Sequence, residues 1–193
     1  SAQDNVISAR ANRSETYYLI GNHSQALHYA EQALEVYENQ KGEPIKYILP
    51  QIYYIIGAVR MDRGELETAE EFMWKAYYTA DEIYQEQQNG GGILIYKAYG
   101  MEGLAKVCLI REDYTKALDY AHKAISYAQE DGYTMVRAKA YATLSDIYLD
   151  QGQYNDSKES ALEAIKISTT AIELNPNLAY NMAIAHMYSG DKD

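Results

Sequence analysis

The stretch Glu112-Asp113-Tyr114-Thr115-Lys116-Ala117-Leu118-Asp119-Tyr120-Ala121-His122-Lys123-Ala124-Ile125 occurs, in altered form, four times along the chain. Gly21 opens one copy, with Ala26 and Ala33 at the places of Ala117 and Ala124. Gly64 opens another with Ala69 and Ala76, and Gly152 a further one with Ser157 and Ala164. In each copy small residues stand five and twelve places after the turn residue. A separation of seven returns to nearly the same face of an α-helix, so the two form one shallow stripe that a neighbouring helix can approach closely.

Around these copies the apolar residues recur with helical period. Ile45, Ile48, Leu49, Ile52, Tyr53 and Ile56 follow the spacing of one helix face. Periodicity and breakers predict an all-α chain of about nine helices, near 4–20, 23–40, 44–63, 66–88, 93–111, 114–131, 133–151, 154–174 and 177–189. The third runs through Pro50, which predicts a kink there. A helix starting at Pro50 is the alternative, since the first turn tolerates proline. Asn89-Gly90-Gly91-Gly92 reads as an inter-repeat loop; the Lys-Ser/Thr ending of a phosphate loop is absent.

This pattern resembles the tetratricopeptide repeat. The family's first-helix small position falls on Ser14, Gly57, Ala105 and Ser145, preceded by Arg13, Ile56, Leu104 and Leu144. Asn175-Pro176 after the eighth predicted helix matches the family's usual ending. The resemblance implies a solenoid of antiparallel helix pairs. Its units lie at about 4–40, 44–88, 93–131 and 133–174, with a partial fifth at 177–193, in a single repeat domain over 1–193. The turns at Gly21, Gly64, Glu112, Gly152 and Gly190 are 43, 48, 40 and 38 residues apart. The usual period is about 34, so the likeness is to long-period relatives, as in kinesin light chain and in bacterial regulators and sensor proteins.

In such arrays the first helices line a concave groove. The resemblance places ligand contacts at Ser8, Ala11, Glu15 and Tyr18 in the first unit, and at Gln51, Tyr54, Ala58 and Met61 in the second. It places them at Tyr99, Glu102, Lys106 and Leu109 in the third, and at Lys139, Ala142, Asp146 and Leu149 in the fourth. The mixture of rings and both charge signs suits a peptide or protein segment. The positions that clamp a terminal carboxylate in the family's chaperone-binding members here hold Ala11, Glu15, Ile55, Tyr99 and Gly103, which argues against that use. Many of the 21 tyrosines have a packing reading instead: Tyr17, Tyr53, Tyr141 and Tyr148 fall on the family's core aromatic places.

Composition narrows the function further. Seventeen Lys and Arg against 28 Asp and Glu give a net charge of −11, which opposes nonspecific nucleic-acid binding. One cysteine cannot form an internal disulfide, and no apolar run is long enough to span a bilayer. Cys108 sits in an apolar helix as a small hydrophobe. His23, His28, His122 and His186 lack zinc-ligand spacing. No cofactor, metal site or catalytic set is read.

The expectation is a non-enzymatic protein-interaction module, the repeat region of a larger bacterial signalling or regulatory protein, cytoplasmic or periplasmic. A sensory domain whose array curvature changes on binding a small peptide or metabolite is the alternative. The first residues carry no Met or basic leader, and the last predicted helix is apolar around much of its circumference. From these we expect a piece of a longer chain, with homo-oligomerisation through that end as a further option.

Overall fold

The computed structural model describes residues 2–40, 45–87, 92–130, 132–168 and 177–188. Among them are nine α-helices and no strand. They are α1 (Ala2–Leu19), α2 (His23–Glu38), α3 (Leu49–Asp62), α4 (Leu66–Gln87), α5 (Leu94–Ile110), α6 (Tyr114–Glu130), α7 (Thr134–Asp150), α8 (Tyr154–Ile167) and α9 (Asn177–Tyr188). Two compact units divide the chain, Ser1–Gly103 and Leu104–Asp193, and the division falls within α5.

Each helix pair turns the same way. Gly21, Gly64, Glu112 and Gly152 have φ of 75°, 76°, 60° and 72°, the left-handed region. The Gly21 amide donates to the Tyr18 carbonyl at 3.0 Å and the next amide, of Asn22, to Tyr17 at 2.8 Å. The same two bonds recur at Gly64–Glu65, Glu112–Asp113 and Gly152–Gln153. They satisfy carbonyls that the helix end would leave without a partner. Asn22 and Asp113 then cap the following helices, accepting from the amides of Gln25 and Lys116.

The residues of the small-residue stripe are buried among the helices. Ala26, Ala33, Ala69, Ala76, Ala117, Ala124, Ser157 and Ala164 are all 0% exposed. Ser14, Ala105 and Ser145 are also 0% exposed, and Gly57 is buried. Within the first unit α1 packs on α2, α2 on α3, α3 on α4, and α1 also on α3. Ile52, Ile55, Ile56, Val59 and Met73 fill its interior. Full burial of each such side chain contributes about 1.5–3 kcal/mol before entropy is subtracted. The second unit repeats the plan, with α6 on α7, α7 on α8, and α9 on both α7 and α8. Leu178 of α9 is buried there against Ala138, Ala142, Ala161 and Ala164.

Two expected boundaries differ. No kinked helix passes through Pro50. A three-residue 3-10 turn, Lys46–Ile48, precedes α3, and Pro50 lies in the first turn, where no amide donor is required. The 3-10 turn keeps Leu49 buried, so the apolar spacing continued across a boundary it could not reveal. Likewise α8 ends at Ile167, because Ser168 is extended, with φ −143° and ψ 121°. A serine hydroxyl competes for backbone bonds and so weakens a helix at this point. The Asn175-Pro176 ending and Asn89, Gly90 and Gly91 lie outside the described residues; Gly92 has φ 92°.

Candidate functional site

Six of the expected groove residues come together in the first unit. Tyr18 projects from α1 and Tyr54 from α3, with ring centroids 6.1 Å apart, edge to face. Tyr54 in turn stacks on Tyr99 of α5 at 4.4 Å. Successive first helices thus present a ladder of three rings, and such pairs are worth about 0.5–1.5 kcal/mol beyond their area. Gln51 Nε2 donates to Glu15 Oε2 at 2.7 Å, joining α3 to α1 beside the ladder. Burial pushes the Tyr54 hydroxyl well up, helped by Tyr18 and by the Glu102 carboxylate. Tyr99 is raised by burial first, then by Glu102 and Glu15. Glu102 therefore acts on both phenols and Glu15 on Tyr99.

Accessibility divides the six. Tyr54 is 7% exposed, Gln51 5% and Glu102 2%, whereas Glu15 is exposed and Tyr18 and Tyr99 are half-buried. The buried members hold the platform, and the edges of Glu15, Tyr18 and Tyr99 are what another molecule can touch. Met61, later on α3, is half-buried. Ser8 is half-buried, and Ala11 and Ala58 belong to the core.

The second unit holds Lys106, Lys139 and Asp146. Both lysines are half-buried, and neither is free of partners. Asp146 of α7 accepts from the Asn181 amide of α9, and Asn181 is itself 2% exposed. Asp146 and Leu149 line a recess of about 360 Å³ with Leu109, Asp150, Tyr180 and Asn181. Tyr180 and Asn181 were absent from the sequence reading, although the turn-like Gly190 pointed to a fifth first helix. Ala142 is in the core.

Tyr17, Tyr53, Tyr141 and Tyr148 are all half-buried, and two of them meet rings of the neighbouring helix. Tyr17 stacks on Tyr29 at 5.5 Å with planes 3° apart, and Tyr53 meets Phe72 at 5.9 Å. A charged pair escaped notice: Lys97, 5% exposed, bonds Asp81 at 2.6 Å and lies over the Tyr77 and Tyr84 rings. His23 packs on Tyr18 and approaches Asp62 at 3.3 Å. Among the described residues no group of His, Cys, Asp and Glu could hold a metal ion, and no helix is long and apolar enough to cross a membrane.

Family models of the tetratricopeptide repeat match residues 6–39 and 138–171. These windows coincide with the α1–α2 pair and with most of α7 and α8. The chain is a tetratricopeptide-like helical repeat protein. Solved structures share the fold over nearly its whole length. BtubC (BKLC) from P. vanneervenii is 15% identical with a TM-score of 0.67, the match covering 99% of this chain and 85% of that one. Aspartyl phosphate phosphatase F from Bacillus subtilis is 19% identical with a TM-score of 0.71, covering 97% and 46%. A thermophilic TPR protein of Thermus thermophilus is 16% identical with a TM-score of 0.53, covering 95% and 83%. At these identities the likeness concerns the fold alone, and the chain spans under half of the phosphatase. No curated protein sequence matches it. Tetratricopeptide repeats serve as protein–protein interaction modules, and the chain has that architecture.

Proposed function

We propose that the chain is a non-enzymatic binding domain that holds a peptide or protein segment along the exposed faces of its first helices. Its repeats serve one domain, within a larger bacterial signalling or regulatory protein. The observation that carries this reading is the Tyr18–Tyr54–Tyr99 ladder with Glu15 and Gln51 at its side. Stacked rings offer large, rigid contact area with few rotors to freeze, and flanking polar groups offer directional bonds. The regulatory context draws on the fold shared with the Bacillus subtilis phosphatase.

Selection from a phage-displayed library of random peptides tests the reading. The full chain is expected to enrich a peptide family, and Tyr18→Ala to weaken a selected peptide about tenfold, as a hot-spot aromatic does. Tyr18 is half-buried at the ladder's edge, so the variant is expected to keep its helical circular dichroism. Failure to enrich any peptide, or a Tyr18→Ala variant that binds unchanged, would overturn it.

A further inference from the structure

We infer that a recess among α6, α7 and α8 binds a small molecule bearing a single carboxylate, and that Arg137 receives it. The recess has a volume of about 380 Å³ and is lined by Gln129 of α6, Arg137 and Tyr141 of α7, and Glu163, Lys166 and Ile167 of α8. Arg137 and Tyr141 stand one turn apart on α7. Lys139, the nearest position assigned to the peptide, is two residues on from Arg137 and so about 200° round the helix. The recess is therefore separate from the peptide positions, and the inference does not rest on them.

A half-buried arginine is ordinarily held by a carboxylate, a carbonyl or a ring face. Arg60 bonds Glu31 and Glu65 in this way, and Arg10 donates to the Gln32 carbonyl at 3.0 Å. Arg137 is also half-buried, yet its side chain has no hydrogen bond, ion pair or ring contact among the described residues. Its Nε is buried without a partner. Leaving a buried donor of a charged group unmatched is unfavourable, and native folds seldom do so. Acceptors are not scarce, since Asp and Glu outnumber Lys and Arg by 28 to 17. Glu163, in the same recess, is bound to Lys166 at 2.9 Å instead.

The surroundings select the ligand. α7 starts at Thr134 with no acidic residue in its first turn, so the positive end of the helix dipole adds to the guanidinium. The Lys166 side chain is 75% exposed, and a pair that open holds its partners weakly, so the ammonium is able to turn to an incoming anion. Arg137 and Lys166 against Glu163 leave one positive charge, which one carboxylate neutralises. A planar carboxylate also matches the parallel N–H bonds of a guanidinium. A second negative charge is opposed. Asp156, Glu159 and Glu163 line the adjoining recess, which shares Tyr141, and a dicarboxylate or a phosphate dianion would meet them. Tyr141 and Ile167 are packed against the core around Ala138, Ala161 and Leu178, so the apolar wall is in place before binding.

Thermal denaturation of the full chain decides the matter, with sodium propionate, succinate and phosphate each compared with sodium chloride at matched ionic strength and pH. Propionate is expected to raise the melting temperature by roughly 2–4 °C at about fivefold excess over its dissociation constant. Succinate and phosphate are expected to raise it less. Arg137→Met keeps an unbranched chain of similar length. It is expected to lose the propionate response while melting no lower than the parent in chloride, since the unmatched charge is gone. Arg137→Lys, with the charge but not the fork, is expected to keep a weakened response. Loss of response without loss of stability separates a ligand-binding arginine from a structural one. A propionate response no larger than that of chloride, an equal response in Arg137→Met, or a larger response to phosphate overturns the inference. So does an Arg137→Met protein that melts lower than the parent in chloride. Each of these outcomes leaves peptide binding by the first helices to the phage selection.

Discussion

Ser157 donates a hydrogen bond to the Ser145 carbonyl at 2.9 Å, and the two hydroxyls lie 3.0 Å apart at the crossing of α7 and α8. Ser14 does the same across α1 and α2, donating to the Ala26 carbonyl at 2.7 Å. At the corresponding places of the third repeat stand Ala105 and Ala117, both fully buried and without a hydroxyl. Ser157→Ala alone takes the 3.0 Å hydroxyl partner from the buried Ser145, leaving it the longer contact of the Asn181 amide at 3.4 Å, and is expected to cost about 1 kcal/mol. The double variant Ser145→Ala, Ser157→Ala is expected to cost less than the two single changes added together. Urea denaturation of the four proteins in a double-mutant cycle measures the coupling.

Glu112 is the lone non-glycine with positive φ among the described residues. A side chain there crowds the following carbonyl, and glycine does not. Glu112→Gly is expected to stabilise the fold by about 1 kcal/mol after the extra entropy of an unfolded glycine is subtracted. Gly152→Ala, at φ 72°, is expected to destabilise by a similar amount. An unchanged urea midpoint for both variants would refute the account.

Gly100 lies against the backbone of α4. A Cβ placed there would sit 3.1 Å from the Met73 carbonyl oxygen and 3.2 Å from the Tyr77 amide nitrogen. Alanine gains about 1 kcal/mol of helix propensity over glycine. The backbone contact opposes this, because α4 as a whole must retreat. Gly100→Ala is therefore expected to lose about 1–2 kcal/mol net, as overpacked sites do. A Gly100→Ala protein more stable than the parent in thermal denaturation would contradict it.

Alkaline pH loads the ladder. Tyr54 and Tyr99 have folded-state pKa values raised by burial, while unfolded tyrosine titrates near about 10. Their contribution to stability is complete below that pH. Above it the unfolded chain loses protons that the folded one retains, so stability falls as pH rises toward the folded values. The urea midpoint is expected to decline from about pH 10 upward, and the Tyr54→Phe, Tyr99→Phe variant to decline less steeply.

Helix pairing was legible because it repeats: Ala26, Ala69, Ala117 and Ser157 could each be read against the others. Pro50 was not, since a 3-10 turn carries the same apolar face into the helix and hides the boundary. The groove positions were placed by register, and register does not report burial. Gln51, Tyr54 and Glu102 sit at groove places yet are covered by neighbours from adjacent helices. Asn181 is harder still: its importance comes from Asp146, 35 residues away, and no local pattern marks the pair. The Lys97–Asp81 pair likewise reads in sequence as two ordinary solvated charges.

From first helix to second, the small residues keep one interval: Ser14–Ala26, Gly57–Ala69, Ala105–Ala117 and Ser145–Ser157 are each 12 apart. From one repeat to the next the interval varies, with Ala33–Gly57, Ala76–Ala105 and Ala124–Ser145 separated by 24, 29 and 21. The array therefore has protected and permissive joints. One residue inserted within an intra-repeat turn would displace every following contact of that pair. The longest of these intervals lies between α4 and α5, so chain length is held constant inside a helix pair and varies only between pairs.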